Sequence, residues 1–459
     1  MTVTAALLAL VQTSGTLGNT PEGAPAPGAS PAAGAAAERA SASGTQAVSA
    51  GATATPDVGW PLFNQTYDAQ RYSALAQINE SNVMRLKETC RVRVGELGGF
   101  GGSPIVVDGV MYVTFGNATL AINPVDCGVV WKTLYVPDQA PPAGPSNRGV
   151  AFAEGRLFRG TGDGRVIALD AATGKELWRT KAADPTSGEG ISAAPVTWEG
   201  KVYVGIAGSE VGVHGRLFAL DAKTGTILWT FNTVPQGTEF GVETWKDLSW
   251  QTGGGGTWST VSLDPATGEV FVPVGNPSPD FFLAHRQKPT KAGDNLFTNS
   301  IVSVNARSGA LSWYFQATPA DDRDLDQAAA PMLFSLANGR SVMAAASKDG
   351  YLRVIDRSTH QLIYKAAVTT IRNEGKPVTA KGVESCPGTL GGTQWNGPAL
   401  DVSQRAIVVG AVDWCSLLQR DDSVTYKKGQ AFYGGRITSL MDPPPSGWIT
   451  SFDADSGTV

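Results

Sequence analysis

The chain has 459 residues, a formal net charge of −5, 42% hydrophobic and 17% charged residues, and 55 glycines. This length buries a large core, the glycine content favours many short strands and turns over helices, and the acidic balance offers no basic face for nucleic acid. No apolar run is long enough to cross a bilayer as a helix, so no transmembrane segment is expected.

In chain order, the apolar run Ala5–Val11 lacks a basic flank and reads as a residual export signal. Residues from about Ser14 to Pro56 are almost all Ala, Gly, Pro, Ser and Thr without apolar periodicity, a composition that cannot bury enough surface to fold. The expected division is therefore 1–56 as signal remnant and disordered tether, and 57–459 as the folded region.

Within that region one phrase recurs: an apolar run, an acidic or amide residue, a short turn ending in Gly, then an aromatic. Clear copies are Ile167-Ala-Leu-Asp170-Ala-Ala-Thr-Gly174-Lys-Glu-Leu-Trp178 and Phe218-Ala-Leu-Asp221-Ala-Lys-Thr-Gly225-Thr-Ile-Leu-Trp229. Looser copies pair Asn123 with Trp131, Asn305 with Trp313, Asp356 with Tyr364, and Asp453 with Gly457. Asp170 and Asp221 stand 51 residues apart, as do Asn305 and Asp356. Alternating apolar residues on both sides of an Asp-x-x-x-Gly turn predict an antiparallel hairpin, because Gly supplies positive φ. About 50 residues per repeat accommodate about four strands, the unit of an all-β propeller.

The four cysteines, Cys90, Cys127, Cys386 and Cys415, form no Cys-x-x-Cys and no haem-attachment motif. Two disulfides in an exported protein are the natural reading. Of three pairings, the nearest-neighbour one joins Cys90 to Cys127 and Cys386 to Cys415; the alternative is four free thiols in a cytosolic protein.

The folded region opens with Gly59-Trp-Pro-Leu-Phe-Asn64, Arg71-Tyr-Ser73 and Ile78-Asn79. There follow in order Ser146-Asn-Arg-Gly-Val150, Ala207-Gly-Ser-Glu-Val-Gly-Val-His-Gly215, Gly253-Gly-Gly-Gly-Thr-Trp258, Val274-Gly-Asn-Pro-Ser-Pro279, Gly293-Asp-Asn295 and Ser347-Lys-Asp-Gly350. From about Gly59 to the last residue this series resembles the quinoprotein alcohol dehydrogenases, eight-bladed β-propellers that bind pyrroloquinoline quinone (PQQ). PQQ is a flat tricarboxylated quinone, so its site needs an apolar floor, donors for carboxylates and a Lewis acid at the quinone oxygen.

The resemblance assigns Trp258 as that floor, where the glycine run lets the backbone come close. Glu210 and Asn276 match the metal ligands, oxygen donors suited to a hard cation, with Ca²⁺ as the default. In Thr318-Pro-Ala-Asp-Asp-Arg-Asp324-Leu-Asp326, Asp324 falls at the position of the catalytic base and a metal ligand. Asp326, two residues on, resembles the branch of the family that adds a carboxylate for a lanthanide; in an extended loop the two side chains share a side. Lys348 matches the basic residue at the quinone oxygens, Arg148 the one facing a PQQ carboxylate, and Ser192 a hydroxyl donor. Trp395 is a further cofactor contact, with Gln394 and Asn396 as open alternatives for a neighbouring amide.

The implied reaction is oxidation of a small-molecule or polymeric alcohol, such as polyvinyl alcohol, to aldehyde or ketone, in the periplasm or outside the cell. With no haem motif, electrons leave to a separate acceptor such as a cytochrome c. Taken alone, each site residue reads more readily as an ordinary loop or surface residue; the ordered series is what favours a site. The alternative for the chain is a cofactor-free propeller scaffold of the assembly-factor type. Four departures from the family pattern stand out. The segment Ala140–Pro145 lacks an adjacent-cysteine pair, Arg323 stands where a Trp is usual, no haem motif occurs, and the chain stops at Ser451-Phe-Asp-Ala-Asp-Ser-Gly-Thr-Val459 inside a repeat, the expectation being a truncated propeller.

Overall fold

The computed structural model describes residues 59–94, 101–140, 147–288 and 293–459. The export-signal and tether readings of residues 1–56 lie outside these, as does 141–146. The described residues are organised as successive antiparallel meanders. The first sheet is Ile105–Val107, Val110–Phe115, Ala118–Ile122 and Val129–Leu134. The second is Ala151–Ala153, Arg156–Gly160, Arg165–Asp170 and Glu176–Lys181, and the third is Val196–Trp198, Lys201–Gly205, Arg216–Asp221 and Ile227–Asn232. The fourth joins Ser262–Asp264, Glu269–Pro273, Ser300–Asn305 and Leu311–Gln316, and the fifth Met332–Ser335, Ser341–Ala346, Tyr351–Asp356 and Leu362–Ala367. A sixth, of three strands, pairs Ala399–Asp401, Ala406–Asp413 and Ser446–Asp453.

The core lies between the faces of consecutive sheets. Tyr112 and Ala121 of the first meet Leu157 and Leu169 of the second; Phe158 and Ala168 meet Val204 and Leu220 of the third. Leu217 and Ala219 then meet Val272 and Val304, Phe271 and Ile301 meet Met343 and Ile355, and Ala344 and Val354 meet Ile407 and Phe452. Face-to-face succession of twisted four-stranded sheets is the propeller arrangement expected from the repeat. Six sheets stack in this way, so the count of eight is not reached among the described residues. A seventh sheet stands outside the succession: Val383–Ser385, Ser416–Arg420 and Gly435–Ser439 form a cap whose Leu418 packs on Phe281.

In the first five sheets the repeated phrase is the hairpin between the third and fourth strands, and at Asp453 it is a turn after the last strand. At Asp221 the carboxylate accepts from Thr224 N and Oγ1 at 2.8 and 2.9 Å, and Gly225 N closes on the Asp221 carbonyl at 2.8 Å. The side-chain oxygen thus satisfies turn amides that the ladder leaves free. Five sheets share the same register shift beyond this turn, at Ala121/Ile122, Ala168/Leu169, Ala219/Leu220, Ser303/Val304 and Val354/Ile355.

The aromatic of each hairpin serves the next sheet. Trp131, Trp178 and Trp229 donate Nε1–H to the carbonyls of Ala171, Ala222 and Ala306, at 3.0, 3.2 and 3.1 Å, and Tyr364 Oη reaches Ala454 O at 2.9 Å. The turn glycine lies against the same ring: a methyl on Gly174 would sit 2.5 Å from Trp131, and one on Gly225 2.6 Å from Trp178. Glycine is therefore required there for close approach as well as for its positive φ of 71° and 74°. Two turns place another residue at this position: Cys127 takes φ 60°, and His360 takes φ 61° and stacks on Trp313 with centroids 4.3 Å apart.

Both disulfides form with the nearest-neighbour pairing, Cys90 to Cys127 and Cys386 to Cys415. Closing loops of this length contributes roughly 3–4 kcal/mol each.

Trp60 to Arg71 runs as a strap across the sheets. Trp60 exchanges backbone hydrogen bonds with Val106 in the first sheet, and Tyr67 Oη donates to Thr197 O in the third at 2.7 Å. Leu263 N in the fourth donates to Tyr67 O, Leu333 N in the fifth to Asp68 O, and Leu400 N in the sixth to Gln70 O. The buried Arg71 guanidinium, pulled down to about 9 by desolvation, donates to Pro398 O at 2.7 Å.

Candidate active site

Irregular loops between the sheets enclose a cavity of about 460 Å³, within the range for a drug-sized ligand. Its wall contains Arg148, Ser192, Glu210, Trp258, Asp324, Asp326, Lys348 and Trp395. These residues come from segments spread over nearly 250 positions, and they include every sequence-stated site residue except Asn276, which lies buried just behind the wall.

The glycine run explains how the loops meet. Gly254 N donates to Val213 O, Gly255 N to Asn276 O, Gly256 N to Ser209 Oγ, and Gly275 N to Gly256 O, so residues 254–256 stitch the Glu210 turn to the Asn276 turn. Glu210 sits in the short 3₁₀ turn Ser209–Val211, between Gly208 and Gly212, and its carbonyl accepts from Phe432 N at 2.8 Å. Asn276 N donates to Asp326 Oδ1 at 2.6 Å. A Cβ on Gly275 would lie 2.5 Å from that same oxygen. Gly275→Ala is accordingly expected to break the Asn276 to Asp326 contact and destabilise the protein by about 1–3 kcal/mol, read as a lower denaturation midpoint. A midpoint equal to that of the native protein would show that the turn tolerates a side chain.

The acidic loop is held from beneath. Asp321 is buried, and its carboxylate accepts from Arg323 N and Leu325 N at 2.9 Å each and from Asn299 Nδ2 at 3.0 Å. Arg323 reaches Asn373 O at 2.8 Å, Lys376 O and Ser385 Oγ, which ties the loop to the cap beside Cys386. The loop is not extended as expected: Asp324 takes φ 62°, in the left-handed region. Asp324 and Asp326 nevertheless converge, because Lys348 Nζ lies 3.0 Å from Asp324 Oδ1 and 2.6 Å from Asp326 Oδ2.

Electrostatics dominate the cavity. Burial pulls the Lys348 ammonium down, and the Asp324 and Asp326 carboxylates together overcome this and hold it charged. One lysine cannot balance all the acids. Burial raises the Asp324 carboxyl well above the usual carboxylate range; Lys348 opposes the rise, while Asp326 and Glu210 reinforce it. Glu210 is likewise raised, by burial and then by Asp326. Arg148 is lowered to about 10 by desolvation, against the pull of Asp326 and Glu210.

Arg148 and Ser192 both donate to the Trp258 carbonyl, at 3.0 and 2.9 Å. The guanidinium lies 4.6 Å from the Trp258 ring centre and 5.0 Å from that of Trp395, and the two indoles meet edge to face at 6.2 Å. Leu390 and Ile437 complete the apolar wall. Of the two amides left open, Gln394 lines the cavity and bonds Gly391 O at 2.8 Å, while Asn396 is exposed.

The donor set fits a hard cation beside a flat carboxylated ligand. Asn276 Oδ1 is buried without a hydrogen-bond donor, facing a need that a cation meets. Arg148 Nε is buried without an acceptor, which a ligand carboxylate would supply.

Three contributors were not singled out from sequence. Tyr433, on the cap, lines the cavity and stacks on Phe281. Arg286, fully buried, donates to Pro279 O, Asp280 O, Asp321 O and Asn295 Oδ1, joining the Asn276 turn to the acidic loop. Asp280 is a further buried carboxylate, raised by burial and then by Asp324 and Glu210. The Pro-Asp step after Asn276 was the available signal for it, an acid inside an otherwise apolar turn.

Residues 60–370 match the PQQ glucose/ethanol/alcohol dehydrogenase β-propeller domain family. The chain is 32% identical to the lanthanide-dependent methanol dehydrogenase of Methylacidiphilum fumariolicum (strain SolV) over 423 residues, covering 82% of this chain and 68% of the relative. It is 33% identical to the quinohemoprotein alcohol dehydrogenase of Comamonas testosteroni over 385 residues, covering 76% of this chain and 53% of the relative. The chain thus spans only about half the length of that relative and of several others. Among solved structures, a europium-containing methanol dehydrogenase superposes with a TM-score of 0.79 at 29% identity, over 88% of this chain and 78% of the other.

Proposed function

This chain belongs to the family of PQQ alcohol dehydrogenase β-propellers, and from that premise we propose that it oxidises an alcohol to an aldehyde or ketone using bound PQQ and a metal ion. The observation that carries the reading is the convergence on one cavity of two indoles, two cations and three carboxylates from loops of successive sheets, with Asn276 Oδ1 left without a donor beside them. A scaffold propeller has no use for so costly a collection of buried charge.

In this reading Trp258 and Trp395 bind the flat cofactor, and Arg148 and Ser192 bind its carboxylates. Glu210, Asn276, Asp324 and Asp326 would hold the cation. When bound, PQQ supplies the two-electron acceptor for the alcohol's α-hydride, and the metal polarises its carbonyl. Asp324 takes the hydroxyl proton, a role for which Lys348 holds its carboxylate in place. Lys348 holds a fixed positive charge beside the reacting group and orients the Asp324 carboxylate. Its partners would be a small or polymeric alcohol and a separate electron acceptor such as a cytochrome c, in the periplasm or outside the cell. Both Ca²⁺ and a lanthanide are candidates for the cation, since two aspartates of the acidic loop meet at Lys348.

Metal-free protein loaded with PQQ and Ca²⁺, and in parallel with PQQ and La³⁺, is expected to show cofactor absorbance and dye-linked oxidation across a panel of primary, secondary and polyvinyl alcohols. Absence of both bound absorbance and turnover with either cation would overturn the proposal.

A further inference from the structure

Asp280 is 1% exposed, and neither of its carboxylate oxygens has a hydrogen-bond partner. It lies four residues past Asn276 on the same turn, pinned by Phe281 N donating to Tyr433 O at 2.8 Å. Arg286 attracts it through space, but its guanidinium hydrogen bonds go to the backbone carbonyls of Pro279, Asp280 and Asp321 and to Asn295 Oδ1, and none reaches the Asp280 carboxylate. Lys348 is engaged by Asp324 and Asp326. Asp280 is in electrostatic contact with Asp324, Glu210 and Asp326, all on the cavity side. A buried carboxylate without a partner costs several kcal/mol, so the arrangement calls for positive charge from outside the chain.

We propose that Asp280 is an additional anionic member of the cation site, and that its charge tilts the site toward trivalent over divalent ions. The inference rests on the metal-dependent reading above. Lys348 balances one carboxylate of the acidic loop, and Arg148 is left to the ligand carboxylate that its unpaired Nε calls for, so Glu210, Asp280 and the remaining aspartate charge are what the cation meets. Three negative charges balance a trivalent ion, and removing one weakens binding in proportion to the charge of the ion.

The test uses the whole purified chain, stripped of metal and without PQQ. Tb³⁺ binding is followed by tryptophan-sensitised luminescence and Ca²⁺ binding by competition, in the native protein, Asp280→Asn and Glu210→Gln. Asp280→Asn is expected to weaken Tb³⁺ by roughly 30-fold where Ca²⁺ weakens by roughly tenfold, following the ratio of ionic charges. Metal-free Asp280→Asn is expected to melt at the same or a higher temperature than the native protein, and to lose part of the rise in Tm that La³⁺ produces. Unchanged affinities, an equal loss for both ions, or an undiminished La³⁺ response would overturn the role of Asp280, provided that Glu210→Gln abolishes binding. If Glu210→Gln binds as tightly as the native protein, the cation site itself is refuted and the role of Asp280 with it.

Discussion

Asp324→Asn is expected to lower kcat of the PQQ- and cation-loaded protein by about 10²–10⁴-fold, the usual contribution of a positioned general base. Asparagine keeps the shape of the side chain, and it is among the residues that tolerate the left-handed φ of 62° found there. The loop conformation does not depend on the Asp324 carboxylate, because Asp321 makes the hydrogen bonds to Arg323 N and Leu325 N. What asparagine lacks is the capacity to accept a proton. PQQ absorbance should therefore persist, while the acidic limb of the kcat/KM profile that reports this group disappears. Turnover within tenfold of the native value would remove Asp324 as the base.

Lys348→Met has the largest expected effect on stability. The ammonium is almost completely buried between two carboxylates at 2.6 and 3.0 Å, and burial also raises the neighbouring Glu210. Methionine fills much of the same volume but leaves those carboxylates unbalanced, a loss of roughly 3–5 kcal/mol in metal-free protein. A cation bound next to Glu210 and Asp326 would restore part of that balance, so the deficit in denaturation midpoint should shrink when La³⁺ is added. A deficit that is the same with and without the ion would place the cation elsewhere. Activity should fall by about 10²–10³-fold even when cation is restored, since the fixed charge at the reacting group is gone.

Much of the propeller was legible because its signal is local and repeated. An Asp or Asn, a four-residue turn and an aromatic define a hairpin whichever sheet contains it; five copies fall at hairpins of the expected kind, and the sixth, at Asp453, forms the turn alone. The two disulfides adopt the nearest-neighbour pairing, one of three open to four cysteines. Harder to see were features that rest on distance in the sequence. Nothing at Trp131 announces that its ring will cover Gly174, or that Trp313 will meet His360 instead of a glycine. The cap sheet was also unforeseen, because Ser416–Arg420 continues almost directly from Ala406–Asp413 and reads as more of the same blade. At the cavity, the residues given a role by the ordered motifs lie on its wall, apart from Asn276 behind it. Asp280 and Arg286 were missed because a single acid in a proline turn and a lone arginine carry no periodic pattern. Their meaning lies in burial and in what they fail to pair with.

The strap from Trp60 to Arg71 has a bearing on how the chain reaches this state. The first five sheets are meanders of neighbouring strands and can form from local contacts, but the strap's side-chain bonds join residues 130, 263 and 327 positions apart. Chain-closure entropy makes such contacts the slowest to form. During synthesis the strap has no complete set of partners until the segment around Pro398 has emerged, after most sheets already exist. The strap is thus expected to be among the last segments locked, a late clasp in which one short stretch registers five of the six sheets, the first and the third to sixth, at once.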